Sequence, residues 1–440
     1  MNSLPTASQK RVAHRRWGMA CLLAFGVLVN YFDRVNLSVS QDALHQAFGI
    51  STVTFGYLLS GYSWTYAALQ LPSGVILDRF GVKLVGRIST LLWSIASFAA
   101  AISSSLTGFL GARLLLGVGE APTFPANAKA TGYWFPIAER SLATALFDSM
   151  AKFASAIGVP IIGLLMVRFG WRWSFAATGI ISFLYFLLFY RYYRNPSEDR
   201  RLSEIERDFI RMGGAQPEDQ LRAERGAPLG YLLRQKKVWG LVLGFAAYNY
   251  TFYLLLTWLP SYLSSAQHID LFHSSLYSGA PWLFATVVDL VVGGWLVDLL
   301  VKRRADASLV RRAVLIGGTT LGLGLFGAAY AQTTFGALVW ISLSIGGLSA
   351  AAPVAWSIPS LIAPKESVGT LGGILNFGSQ LSAIAAPIAT GYVAQSTHSF
   401  FWAFAAAALF LAVGVAGYLF LLGRIEPIPE PSASSARNVV

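Results

Sequence analysis

Apolar residues dominate this chain in runs of about twenty, the length that crosses a hydrocarbon layer of about 30 Å as a helix. Twelve runs carry that pattern: 17–38, 53–77, 84–104, 106–134, 141–167, 172–193, 238–263, 274–300, 312–331, 335–361, 368–394 and 399–422. The longest hydrophilic connection, Arg194 to Lys237, separates the sixth from the seventh. Its stretch "SEDRRLSEIERDFIR" predicts a short amphipathic helix at the membrane surface. The ending "IEPIPEPSASSARNVV" is rich in Pro and Ser and is expected to be disordered. The predicted fold class is an all-α membrane protein of twelve transmembrane helices.

Composition supports this class. The chain has 440 residues, of which 55% are hydrophobic and 12% charged. A soluble protein carries roughly 25% charged residues. The basic start "QKRVAHRR" before an apolar run resembles a signal peptide, but the run is long and many similar ones follow, so it reads as a first span. The single cysteine, Cys21, excludes an intramolecular disulfide and makes a cysteine metal site implausible.

The net charge of +12 raises the question of a nucleic-acid partner, and its placement answers it. With the N-terminus in the cytoplasm, Arg168 and Arg172 fall outside, while Arg34, Arg113, Lys129 and Lys152 fall within spans. The other basic residues lie on the cytoplasmic side, as the positive-inside rule requires. The charge therefore encodes topology, with both termini cytoplasmic, and adds attraction to anionic membrane lipids. No nucleic-acid partner is expected.

The two halves of the chain echo each other. "GVILDRFGVK" (Gly74 to Lys83) ends span two, and "GWLVDLLVKR" (Gly294 to Arg303) ends span eight, 220 residues later. "SAIGVPIIG" from Ser155 is matched by "SAIAAPIATG" from Ser382, 227 residues on, and Asn30-Tyr31 by Asn249-Tyr250 at an offset of 219. Matches in chain order at nearly constant offset predict two pseudo-symmetric six-helix bundles, 17–193 and 238–422. A cytoplasmic segment 1–16, a linker 194–237 and a tail 423–440 complete the division. Such halves meeting around a midplane site are the architecture of alternating-access carriers.

The spans also hold ionisable residues: Asp33, Arg34, Arg113, Glu120, Lys129, Asp148, Lys152 and Asp289. At least ~2.5–3.5 kcal/mol is needed to place one charge at the centre of a lipid-facing helix, so such residues face an interior cavity or pair with one another. Arg34 lies one turn from Asn30 and Tyr31, and Arg113 and Glu120 share one helical face two turns apart. Spans one and four thus supply two acids and two bases, the set a proton-coupled anion carrier needs. Asp148 and Lys152, at i and i+4, are either a self-neutralising pair or a cavity cation with its partner. Asp289 stands alone in span eight, with proton relay, helix pairing and a cation-contacting role all open. Lys129 is a candidate gate or anchor. Tyr66, Tyr248, Asn249, Trp356, Asn376 and Gln380 are candidate hydrogen-bonding or packing groups around the same cavity. Gly74, Asp78, Arg79 and, in the second half, Asp298 are candidates for a conformational latch.

Gly74, Asp78, Arg79, Gly81 and Lys83 fit the loop signature G-x-x-x-D-R-x-G-x-[RK] of the major facilitator superfamily, which the chain resembles over nearly its whole length. "NYFDRVNLS" from Asn30 and "GVGEAPTFPANAKATGYWFPIAERSLA" from Gly117 resemble its anion:cation symporter family, which holds bacterial sugar-acid transporters and sialin-type carriers. The resemblance implies a bacterial inner-membrane protein, proton-coupled uptake of a small organic anion, no cofactor beyond the proton, and a monomer. It makes Asp33 and Glu120 the protonation sites, with Arg34 and Arg113 as their basic partners. Tyr66, Trp356 and Asn376 match sugar-contacting positions. Lys152 departs from that pattern, where a neutral hydrogen-bonding residue is common, and this points to a more highly charged substrate.

Competing readings fare less well. His14, His45, His268, His273 and His398 lie in tails, loops or span ends, so no midplane histidine relay or metal site is expected. The G-x-G-x-x-G at Gly322 to Gly327 lies within apolar span nine with no strand before it, and reads as helix packing. An enzyme is not expected. An organophosphate:phosphate antiporter on the same fold would want a basic residue inside span seven, and there is none beyond its entrance. A non-transporting sensor is the third alternative.

Overall fold

The computed structural model describes residues 14–136, 139–215, 227–303, 306–364 and 367–430, without the side chains of residues 71, 78, 141, 298, 302 and 369. Every element among them is helical. The first half comprises α1 (Arg15–Val39), α2 (Gln41–Phe48), α3 (Thr52–Ile102), α4 (Leu106–Glu120), α5 (Thr123–Trp134), α6 (Arg140–Phe169) and α7 (Trp171–Tyr192). The connection holds α8 (Glu204–Met212) and α9 (Leu229–Leu233). The second half begins with α10 (Lys236–Ala266), α11 (Leu271–Val288), a π-helical turn (Asp289–Leu296) and α12 (Val297–Lys302). It continues through α13 (Ala307–Gly322), α14 (Leu325–Ala328), α15 (Thr334–Ser357), α16 (Pro359–Ile362), α17 (Val368–Thr397) and α18 (Phe401–Ala416), closing with a π-helical turn (Gly417–Leu422).

Helix starts follow the sequence. Ser51, Ser105, Ser203 and Thr333 cap α3, α4, α8 and α15 by accepting a backbone N–H into the first turn. Asp270 and Asp306 do the same for α11 and α13, and both are exposed to solvent there. The hydrogen bonds from the backbone N–H groups of His273 to Asp270, and of Leu309 and Ser308 to Asp306, hold these carboxyls below the ordinary aspartate range.

Among the described residues, ten helical segments are long and apolar enough to cross a membrane by length and composition. The expected spans 53–77 and 106–134 are outside that set, although both are helical. The first runs on into the third span as α3, and the chain turns at Gly81, whose φ of +76° suits glycine. The second is broken after Glu120, where the chain enters Ala121-Pro122 before α5 begins. The eighth expected span is likewise irregular, widening into the π-helical turn at Asp289.

Large apolar side chains point outward: Ile102 and Phe420 are each 81% exposed and Phe335 78%. The interior is a large apolar core in which charged and polar side chains, Asp33, Arg34, Arg113, Glu120, Lys152 and Asp289 among them, are also buried away from the lipid. Within the first half α1 packs on α6 and α7, and α3 on α4 and α7. Within the second α10 packs on α17 and α18, and α15 on α11 and α13. Across the two, α6 meets α11, α3 meets α17 and α1 meets α10. Glycines bring those crossing helices close. A Cβ on Gly56 would lie 2.7 Å from the Pro387 carbonyl oxygen, and one on Gly279 2.5 Å from that of Ala156. The glycines of the G-x-G-x-x-G string serve the same end, since a Cβ on Gly327 would strike the Trp340 ring.

The expected surface helix is α8. Its Glu206 is fully buried and accepts from the backbone N–H groups of Arg15 and Arg16 and from the Arg16 guanidinium, tying the connection to the start of α1. Residues 423–430, expected to be disordered, are instead held in place. Lys237 Nζ donates to the Arg424 and Glu426 carbonyls, Ile428 N–H to the Ile362 carbonyl, and the Tyr231 hydroxyl to the Pro429 carbonyl. Backbone hydrogen bonds outweigh the Pro and Ser content over that stretch. The remainder of the tail lies outside the described residues.

Gly279→Ala forces the α6–α11 crossing apart, at a cost of about 1–3 kcal/mol for an overpacked contact. Thermal melting in detergent should show a lower Tm. Gly317→Ala is the control, because a Cβ there meets nothing within 4 Å. Equal melting of the two variants would contradict close packing at this crossing.

Candidate functional site

The centre of the molecule is built on one turn of α1. Asn30, Tyr31, Phe32, Asp33 and Arg34 are all buried, so the charge in this helix is turned inward. Arg34 is 5% exposed, and its Nε donates to Glu120 Oε2 at 2.9 Å. Its guanidinium lies over the rings of Tyr31, Tyr62 and Tyr66, with centroids 4.5, 4.9 and 5.2 Å away. Each such contact is worth about 0.5–2 kcal/mol, which offsets part of the cost of removing the cation from water. Arg34 Nη1 also reaches the Tyr253 hydroxyl at 3.5 Å, and Tyr253 shares a 2.9 Å hydrogen bond with Tyr62. Because α10 carries Tyr253, this contact joins the two halves.

Glu120 is fully buried at the end of α4. One carboxylate oxygen takes Arg34, while Oε1 has no hydrogen-bond partner among the described residues. An orphaned buried carboxylate oxygen is costly, and a proton on it is one way to relieve that cost.

Asp33 lies behind the cavity rather than in it. Its carboxylate accepts from Ser97 Oγ on α3 and Ser182 Oγ on α7, both at 2.7 Å. Arg113, expected as a partner of these acids, donates Nη1 to the Asp33 main-chain carbonyl at 3.2 Å and stacks over Tyr62. The pairing is thus Arg34 with Glu120, Asp33 with two serines, and Arg113 with backbone. Arg113 does not line the cavity.

The cavity lies between the halves and has a volume of about 110 Å³. Arg34, Tyr31, Tyr66 and Lys152 line it from the first half. Tyr248, Asn249, Trp356, Asn376 and Gln380 face them from the second. Asn376 Nδ2 donates to Gln70 Oε1 at 2.9 Å, a further bridge between α17 and α3. Trp356 is 43% exposed and packs edge-on against Phe245.

Lys152 carries a second charged cluster. Its Nζ lies 3.1 Å from Asp148 Oδ2 and is also ion-paired to Asp289. Asp289, solitary within its own span, is therefore the partner of a lysine on the opposing half, which is the cation-contacting role among its open readings. Periodicity within one span could not reveal a contact between spans five and eight.

The remaining candidates are peripheral. Lys129 Nζ donates to the Leu77 carbonyl at 2.9 Å, which fits an anchor on the end of the first stretch of α3. Arg79 stacks on Phe80, and Gly74 has open space around its Cα. The side chains of Asp78 and Asp298 lie outside the described residues. Sequence reasoning missed Tyr62, Tyr253 and Ser379. The repeat held a signal for one of them: Tyr253 follows Arg34 by 219 residues, the offset that relates Asn30 to Asn249.

The family model described as Major Facilitator Superfamily matches residues 23–305. The chain belongs to the Major Facilitator Superfamily. It is 38% identical to "Uncharacterized transporter YybO" of Bacillus subtilis (strain 168), with 95% of this chain and 97% of that protein covered. It is 31% identical to the "Probable L-galactonate transporter" of Escherichia coli (strain K12), over 93% of this chain and 89% of the relative. The fold is that of a bacterial homologue of the human lysosomal transporter Spinster, solved inward-facing and unoccupied. The TM-score is 0.74 at 16% identity, covering 94% of this chain and 98% of that one. The resemblance to sugar-acid transporters of the superfamily, drawn from "NYFDRVNLS" and the string from Gly117, holds. The relatives are transporters and not enzymes, and this superfamily member is a multi-span membrane transporter.

Ser97→Ala or Ser182→Ala removes one hydrogen bond from the buried Asp33 carboxylate. The loss is about 1.5–3 kcal/mol each for a bond to a charged group. Melting should fall for both variants and change little for Ser94→Ala, whose hydroxyl donates only to the Thr90 carbonyl one turn back. A serine-independent Tm would mean Asp33 is held in some other way.

Proposed function

We propose that this transporter is a proton-coupled importer of a small organic anion, a hexonate- or hexarate-type sugar acid, working by alternating access. It acts as a monomer in a bacterial inner membrane, with twelve spans in two six-helix bundles and both termini in the cytoplasm. It needs no cofactor beyond the coupling proton.

The observation that carries the reading is the Arg34–Glu120 pair at the cavity wall. While Glu120 is ionised, Arg34 is occupied. A proton on Glu120 ends the ion pair and leaves Arg34 with charge and hydrogen bonds to offer a substrate carboxylate. The polar groups opposite, Asn249, Asn376 and Gln380, suit the hydroxyls of a sugar acid. The name of the L-galactonate relative agrees with that class. Asp33, held by serines apart from the cavity, is the second protonation site, a relay that passes its proton to Glu120 and keeps none when substrate is bound. The latch assigned to Gly74, Asp78, Arg79 and Asp298, with Lys129 as anchor, governs the change of access. The organophosphate:phosphate antiporter, or a carrier of another carboxylate, is the alternative. Tyr253 stands where the repeat would place the second arginine of such an antiporter, which disfavours it.

Purified protein in liposomes should accumulate a hexonate only under an inward proton gradient. Glu120→Gln removes the titrating group while keeping its shape, so accumulation should fall to the level of protein-free liposomes, with a lower Tm because Arg34 loses its ion-pair partner. Accumulation by Glu120→Gln equal to the unaltered protein would refute the coupling role. Uptake that requires internal phosphate would support the antiporter.

A further inference from the structure

The Arg34–Glu120 unit has a counterpart across the cavity. Lys152 on α6 also lines the cavity, and behind it stands Asp289, brought from the second half by the first residue of the π-helical turn. In each unit a cation borders the cavity and a carboxylate sits behind it, Glu120 at 0% and Asp289 at 4% exposure. Asp148 differs, since its side chain is 26% exposed and borders the cavity itself. One acid four residues back already neutralises a lysine on a helix. A second buried acid is therefore in excess of what neutralisation requires, and excess buried charge is expensive to retain.

We infer that Lys152 and Asp289 form a second anion- and proton-binding centre, so that the transported species is a dianion carried with two protons. This rests on the reading of the cavity as an organic-anion site. Around the centre, Asp33, Glu120, Asp148 and Asp289 oppose Arg34, Arg113 and Lys152. Four carboxylates against three cations repel an anion while all are ionised. A proton from solvent on Glu120 frees Arg34, and one on Asp289 frees the Lys152 ammonium to donate to a second acidic group. Release of the dianion returns both cations to their carboxylates, and the two protons leave with it. One proton and one acidic group would use only the Arg34 unit. The groups that face Asp289 are Lys152 and Asp148 from α6 and the Tyr248 phenol from α10, while α15 presents Ala350 and Pro353 beside Gly293. Those facing Glu120 are Arg34, Asp33, Arg113 and Tyr66.

Proteoliposomes test this with galactarate and galactonate as competing dianion and monoanion. The proton count is read from the accumulation reached at a set proton gradient. The unaltered protein should prefer galactarate by roughly 30-fold or more, as expected for a second buried charge contact. It should move two protons with each dianion. Asp289→Asn should keep the preference and move one proton fewer. Lys152→Gln with Asp289→Asn removes the lysine together with its fully buried partner, leaving only the part-exposed Asp148 without a cation, and should bring the two anions near parity. A preference that survives the double substitution, or an unaltered protein moving one proton, overturns the inference. Galactonate preferred with one proton overturns this inference alone and leaves the sugar-acid importer standing. Proton-independent transport of either anion, or none, overturns both.

Discussion

An arginine and a glutamate paired in the buried centre set the terms for the rest of this protein. Neither charge could sit in a lipid-facing helix, and removing either one would leave the other buried and unpaired at a cost of about 3–5 kcal/mol. The pair therefore dictates that α1 and α4 turn inward, and that three tyrosine rings enclose the guanidinium. It also sets where the halves meet, because Tyr253 completes the arginine's surroundings from α10. A cavity whose wall is an ion pair is a binding site held in check. Whatever neutralises the acid also presents the base.

The irregular points of the helices lie where this chemistry needs them. Glu120 is the last residue of α4, at the break that Pro122 enforces, and Asp289 opens a π-helical turn. Both acids thus come from places where an ordinary helix stops or widens, a recurrent feature of functional sites in membrane helices. By contrast, Gly56 and Gly279 serve closeness alone, letting backbone meet backbone where the halves cross.

Much of this was legible in the sequence. Long apolar runs gave away the helices, and charges inside them marked the centre: Arg34, Glu120, Lys152 and Asp289 all converge there. Arg34, Lys152, Tyr66, Tyr248, Asn249, Trp356, Asn376 and Gln380 all line one cavity, and Arg113 does not. What sequence could not supply was pairing. A periodic pattern tells which residues share a face of one helix, and the decisive contacts run between helices far apart in the chain. Asp289 looked solitary because its partner is on α6, and Asp33 looked like an arginine's partner because its serines are on α3 and α7. Backbone hydrogen bonds also ordered residues 423–430 against a composition that reads as disordered.

The central claim is that an anion and a proton enter the same site together because the proton frees Arg34. Calorimetric titration of galactonate or galactarate into the purified protein, repeated in buffers of different ionisation enthalpy, counts protons taken up on binding. The account predicts net proton uptake with each anion bound, and less of it in Glu120→Gln. Binding with no proton uptake, or with the same uptake in that variant, would contradict it.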